Sequence, residues 1–108
     1  MTAASKQGGK FVKVTDEIAV IRCAAGDGLI REEVWRADDG SVARFNLAFI
    51  NFHLFANDNG RVLGYDTSHG QLHRHFAGGV ELISTAPYIE ILDRFIDEVA
   101  KLKTKRSL

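Results

Sequence analysis

Val42-Ala43-Arg44-Phe45-Asn46-Leu47-Ala48-Phe49-Ile50-Asn51-Phe52-His53-Leu54-Phe55 is the stretch on which the fold turns. Side chains alternate along a strand. Read as one long strand from Val42 or Arg44 to Phe55, it sets Phe45, Leu47, Phe49, Asn51, His53 and Phe55 on one face. Ala48, Ile50, Phe52 and Leu54 fall on the other. Both faces are apolar, whereas a strand with one wet face alternates with polar residues. The pattern predicts a central strand covered on both sides.

Short extended segments lie on either side of it, separated by turn signals, as in an antiparallel meander. A first strand is expected within Val12–Ala25, with Asp16-Glu17 as an interruption, and a second over Leu29–Arg36. Asp38-Asp39-Gly40 and Asn57-Asp58-Asn59-Gly60 are turns of the kind that accept positive φ. Arg61–Tyr65 gives a fourth strand and Gln71–Phe76 a fifth. Val80–Ile83 is either a sixth strand or the fifth continued through a Gly78-Gly79 bulge. The chain closes on an amphipathic helix: Tyr88, Leu92, Phe95, Val99 and Leu102 recur at helical spacing, and Ile89 and Ile96 widen the stripe. Ser84 or Thr85 is expected to cap it, with Pro87 in its first turn. Its acids come early and its bases late, which suits the helix dipole, and the charged face reads as solvated.

The expected fold is therefore α+β, a curved antiparallel sheet of five to six strands with one C-terminal helix packed on a face. Residues 1–10 read as a flexible arm, 11–104 as a single domain and 105–108 as a basic tail. A chain of 108 residues sits near the most common domain size. Its 14 basic and 14 acidic side chains cancel, so no net field draws in nucleic acid or an anionic membrane. No apolar run approaches the roughly 20 residues of a membrane helix. The lone Cys23 lies in an apolar run and reads as an inert thiol, in keeping with a cytoplasmic protein.

Chemistry concentrates in Gly64-Tyr65-Asp66-Thr67-Ser68-His69-Gly70-Gln71-Leu72-His73-Arg74-His75-Phe76. If Gln71–Phe76 is extended, His73 and His75 share a face, about 6.6 Å apart. Leu72, Arg74 and Phe76 share the opposite one. A tight turn brings Asp66 near the start of the fifth strand, so His69, His73, His75 and Asp66 are candidates to converge. His53 joins them or not according to a register the sequence leaves open. In one reading, two imidazoles act as base and acid in RNA strand cleavage while Arg74 or Arg61 stabilises the phosphorane. In a second, minor reading, His69, His73, His75 and Asp66 hold a divalent transition metal. In a third the histidines are structural. Trp35 and Tyr65 are weaker candidates, as surfaces on which bases could stack.

Arg61, Tyr65-Asp66, His69-Gly70 and His73-Arg74-His75, followed by a strand and a terminal amphipathic helix, resemble the small toxin-like proteins of the TumE family. The resemblance implies a component of a toxin–antitoxin module whose partner is a helix-turn-helix antitoxin, and it is compatible with ribonuclease activity. Under it, Tyr65 and Asp66 match the aromatic-Asp doublet, His69 the turn histidine, and His73 and His75 the downstream pair. The leading expectation is a metal-independent endoribonuclease that needs no cofactor. In it His73, His75 and His69 are catalytic with Asp66, and Arg74, Arg61 and Tyr65 bind RNA. The alternative is a non-catalytic interaction domain that uses a doubly apolar sheet to form a homodimer or dock a partner.

Overall fold

The computed structural model describes residues 10–108. The expected arm, apart from Lys10, lies outside the described residues. Strands β1 (Phe11–Ile21), β2 (Gly28–Ala37), β3 (Val42–Ile50), β4 (Arg61–Ser68), β5 (Gln71–Phe76) and β6 (Gly79–Ile83) precede a helix, α1 (Tyr88–Leu102). The strands form one six-stranded antiparallel meander in chain order. Successive strands are joined by tight turns or short loops, except β3 and β4, which are joined by the longer segment 51–60, and the turns carry Asp, Asn and Gly. His69-Gly70 and Ala77-Gly78 are two-residue turns with positive φ at both positions, as the right-handed twist of the flanking strands requires. Residues 79–83 are thus a separate sixth strand, not a bulged extension of β5.

The helix lies across the middle of one face. Phe45, Leu47 and Phe49 of β3 meet Leu63 and Tyr65 of β4 and Leu72 of β5 beneath Ile91, Phe95, Val99 and Leu102. Leu47, Phe49, Leu63 and Ile91 are fully buried, each stabilising the fold by about 1.5–3 kcal/mol. The ring of Tyr65 stands edge-on to Phe95, with centroids 6.4 Å apart. Ile91 anchors the helix, while Ile89 and Ile96, expected to widen the stripe, are exposed. The capping differs from expectation as well. Pro87 itself is the N-cap, its carbonyl accepting from the N–H of Glu90 and Ile91, and no described side chain caps the helix.

The central strand is shorter than its pattern. β3 ends at Ile50, and Asn51 turns the chain. Its side chain is 1% exposed; Nδ2 donates to the Gly26 carbonyl at 2.9 Å and Oδ1 accepts from the His53 N–H at 2.9 Å. The Asn51 carbonyl accepts from the N–H groups of Leu54 and Phe55. Phe52, Leu54 and Phe55 therefore belong to a loop, where the Phe52 ring packs against Gly60 and Phe55 against Gly78. Half of the apparent second apolar face, Phe52 and Leu54, was made by these loop residues. What β3 shows on that side is Asn46, Ala48 and Ile50, under a layer of charged side chains from its neighbours. β1 likewise stops at Ile21, and its irregularity falls between Lys13 and Thr15 instead of at Asp16-Glu17. Among the described residues no helix is long and apolar enough to cross a membrane.

Candidate functional site

β4 and β5 carry the site. Their register sets Asp66 opposite His73 and Gly64 opposite His75. The side chains of Leu63, Tyr65 and Leu72 go under the helix. Period-two alternation therefore sends Asp66, His73 and His75 to the uncovered face. Arg61 reaches them from the start of β4, beside the register shift between Phe49 and Ile50. It lies over Gly64, where a Cβ would stand 2.9 Å from Arg61 Cδ and 3.2 Å from the Leu47 carbonyl oxygen.

Asp66 is the hub. Its Oδ2 lies 2.8 Å from Nε2 of His75, its Oδ1 lies 3.6 Å from Nδ1 of His73, and Arg61 approaches Oδ2 at 3.7 Å. Arg61 also stands 3.1 Å from Nδ1 of His75 and donates through Nε to Asp58 at 2.9 Å. A guanidinium has donors only. Nδ1 of His75 must therefore be the lone-pair nitrogen, and Nε2 carries the proton given to Asp66. Both nitrogens of His75 are occupied. His73 differs: its Nδ1 is buried without a hydrogen-bond partner, and its side chain is 22% exposed. The 3.6 Å from this Nδ1 to Asp66 Oδ1 is longer than a hydrogen bond. The two rings are 6.3 Å apart between centroids.

Charged pairs extend the site across the sheet. Asn46, opposite Asp66, donates to Glu33 at 2.9 Å; Glu33 also holds Lys13 at 2.7 Å and Arg31 at 3.2 Å. Burial pushes the Glu33 carboxyl up, but the bonds from Lys13 and Asn46 and the charge of Arg31 more than offset it. The net shift is downward. Trp35 has Lys13 and Arg44 against its ring, 5.1 and 4.4 Å from the centroid, so stacking surface there is already engaged. At the β6 edge, exposed Val80 and Leu82 stand opposite His75 and His73 and form an apolar shelf.

Four residues singled out by sequence lie elsewhere. Arg74 is on the helix face, ion-paired with Glu98 and donating to the Tyr65 hydroxyl at 3.2 Å. The phosphate role expected of it would need a cation on the opposite side of the sheet. Tyr65 is 2% exposed and donates to Glu98, so it offers no stacking surface. His69 sits in the β4–β5 turn and lines a cleft at the end of the sheet. His53 covers Gly26 from the loop after β3. The set of His69, His73, His75 and Asp66 weighed for a metal is thus not assembled. Among the described residues no three His, Cys, Asp or Glu side chains are grouped to hold an ion. Arg61, offered beside Arg74 from sequence, is the cation that reaches Asp66 and His75. Asp58, Asn46 and Glu33, which support it, carried no motif that would reveal them.

No protein-family model, no curated protein and no solved structure matches the chain.

Proposed function

We propose that this protein is a toxin-like, metal-independent endoribonuclease acting at His73, Asp66, His75 and Arg61. The observation that carries the reading is one carboxylate beside two imidazoles in unequal states, His75 with both nitrogens engaged and His73 with its Nδ1 unpaired. His73, once its Nδ1–H closes on Asp66, takes the ribose 2′-OH proton at Nε2. The 2′-oxygen attacks phosphorus, and the bond from phosphorus to the 5′-oxygen breaks. Arg61 stabilises the phosphorane charge. As the phosphate draws Arg61 away, Nδ1 of His75 is released to take up a proton from water, the imidazolium beside Asp66 passes it to the leaving 5′-oxygen, and His73 returns its proton to water. The products are a 2′,3′-cyclic phosphate and a 5′-hydroxyl. The site recognises RNA locally, since Asp16, Glu33, Asp58 and Asp66 balance Lys13, Arg31, Arg44 and Arg61 on this face.

The test is cleavage of total RNA by purified wild type, His73→Ala and Asp66→Asn, with end-group analysis, alongside induced expression in cells. Cyclic-phosphate ends from the wild type and none from His73→Ala, both proteins being equally stable to within about 1 kcal/mol, support the reading. Intact RNA after incubation with wild type sinks it.

A second reading, a non-catalytic interaction domain, is favoured by β1. This 11-residue edge strand exposes Val12, Val14, Ile18 and Val20, and an open edge can pair with an added strand. The same edge offers a place for an antitoxin or a second copy, so the two readings are compatible. Size-exclusion mass with and without the product of the neighbouring gene shows what occupies the edge, and RNA cleavage by the purified protein decides whether the domain is catalytic.

A further inference from the structure

The sheet has two edges, β1 and β6. β6 is short, whereas β1 runs for 11 residues, and from Phe11 to Val20 all but Thr15 are exposed. The two halves of this edge differ. In the first, the irregularity between Lys13 and Thr15 bends the strand, and the Lys13–Asp16 pair lays charge along it. Both devices keep an edge from pairing. The second half, Ile18-Ala19-Val20-Ile21, carries no charge, bulge or proline. On β2, Ile30 and Val34 turn toward the helix. Leu29 and Arg31 therefore lie on the uncovered face, and with them their partners Val20 and Ile18. There Ile18 is 59% and Val20 69% exposed, with exposed Leu29 beside them.

We infer that this second half of β1 pairs antiparallel with the same segment of a second copy, in the register centred on Ala19. Identical strands paired in this way are related by a two-fold axis perpendicular to the sheet, so each face of one copy continues into the same face of the other. Directly opposed residues then share a face, and few registers are open. Centred on Asp16 or Glu17, the seam sets like charges against each other, which is unfavourable. Centred on Ile18, it sets Asp16 against Val20. Centred on Ala19, it sets Ile18 against Val20 twice and Asp16 against the exposed Arg22 twice. Apolar side chains meet in the middle and opposite charges at both ends. On the helix side Ala19 meets its own copy, and Glu17 stands beside Ile21 with its carboxylate free to reach water. The helices do not collide, because α1 packs on β3 and β4, with β2 and β1 between each helix and the seam. Residues 16–22 of each copy make a seam well short of the about 20–30 residues a side of a standard interface, so the dimer is concentration-dependent. The inference does not depend on the ribonuclease reading, and of the two occupants considered for β1 it selects the second copy.

The test is sedimentation equilibrium of the full chain over a range on the order of 1–500 µM. Wild type should pass from monomer to dimer across that range, and Ile18→Lys should stay monomeric throughout. Asp16→Arg and Arg22→Asp should each weaken the dimer about fivefold, since each breaks both exposed ion pairs of the seam. The two exchanges combined should restore the wild-type constant to within about twofold. In case Ile18→Lys fails to fold, amide exchange of wild type at residues 18–21 should slow as concentration rises, while that of residues 11–14 should not. Wild type that is monomeric at the highest concentration, exchange indifferent to concentration, or a dimer that Ile18→Lys leaves intact overturns the inference. A dimer lost in Ile18→Lys but not regained when both charges are exchanged overturns the register centred on Ala19. Monomeric wild type that binds the neighbouring gene's product only while Ile18 is in place gives the edge to that partner and overturns the second copy.

Discussion

Asp66 and His75 face each other across adjacent strands of one sheet with 2.8 Å between carboxylate oxygen and Nε2, while Arg61 closes on the other ring nitrogen. Since Arg61 can only donate, this arrangement fixes the His75 tautomer as Nε2–H. In long-range nitrogen–proton NMR spectra of the free protein, His75 should show its proton on Nε2. Arg61→Met removes the donor at Nδ1, so the Nδ1–H tautomer should then become populated. A wild-type His75 proton on Nδ1 would contradict the geometry of the pair, and with it the division of roles between the two histidines.

Gly64 is required for the same cluster by close approach. Its φ is not in the left-handed region; what forbids a side chain is the space, already filled by the Arg61 stem and the Leu47 carbonyl. Gly64→Ala should push Arg61 off the site and cost about 1–3 kcal/mol by overpacking. Denaturant titration measures the cost, and end-group analysis of cleaved RNA should show slower turnover. Gly70→Ala is a control of the opposite kind: nothing lies within 4 Å of its Cβ position, but its φ is +73°. It should lose stability through backbone conformation with Arg61 left in place.

The antiparallel meander and its closing helix were legible because turn chemistry and helical spacing are local signals, readable residue by residue, whereas the separate sixth strand was left open. The end of β3 was not legible. Phe52, Leu54 and Phe55 continue the alternation, and only Asn51, which bonds its neighbours' backbone better than it fits a pleat, marks the break. Part of the site could be read in the same way. Period two already set His73 and His75 on one face and Arg74 on the other. The positions of Arg61 and His69 depended on a register shift in β3–β4 and on a turn conformation, which are properties of strand pairs. Glu98 illustrates the limit: its spacing matches a solvated helix face, yet its partner Arg74 comes from a strand 24 residues away.

Arg74 tests that division directly. It joins β5 to α1 through Glu98 and the Tyr65 hydroxyl and reaches Glu81 on β6 at 3.4 Å. Arg74→Met keeps the apolar stem and removes the charge, so Glu98 loses its ion-pair partner. A loss of about 1–3 kcal/mol in unfolding free energy is expected, with the cleavage rate of the folded protein unchanged. If Arg74→Met abolishes cleavage at undiminished stability, the cation that binds phosphate lies on the helix face after all.

Both tyrosines hold their protons more tightly than in a free chain. Burial pushes Tyr88 up, reinforced by its hydrogen bond to Glu32; burial and the bond to Glu98 do the same for Tyr65. An unfolded tyrosine ionises near pH 10. Below that value folded and unfolded chains carry the same phenolic protons, and stability owes nothing to pH through these groups. Above it the unfolded chain releases protons that the folded chain keeps, so unfolding free energy falls as pH rises. Tyrosinate absorbance should therefore lag behind that of the denatured protein, and the denaturation midpoint should drop steadily above about pH 10. Tyr88→Phe should flatten that slope, since it removes the more strongly shifted of the two groups. Ordinary tyrosine titration in the folded protein, with a midpoint indifferent to alkali, would mean that the Tyr88–Glu32 and Tyr65–Glu98 bonds do not hold helix to sheet in solution.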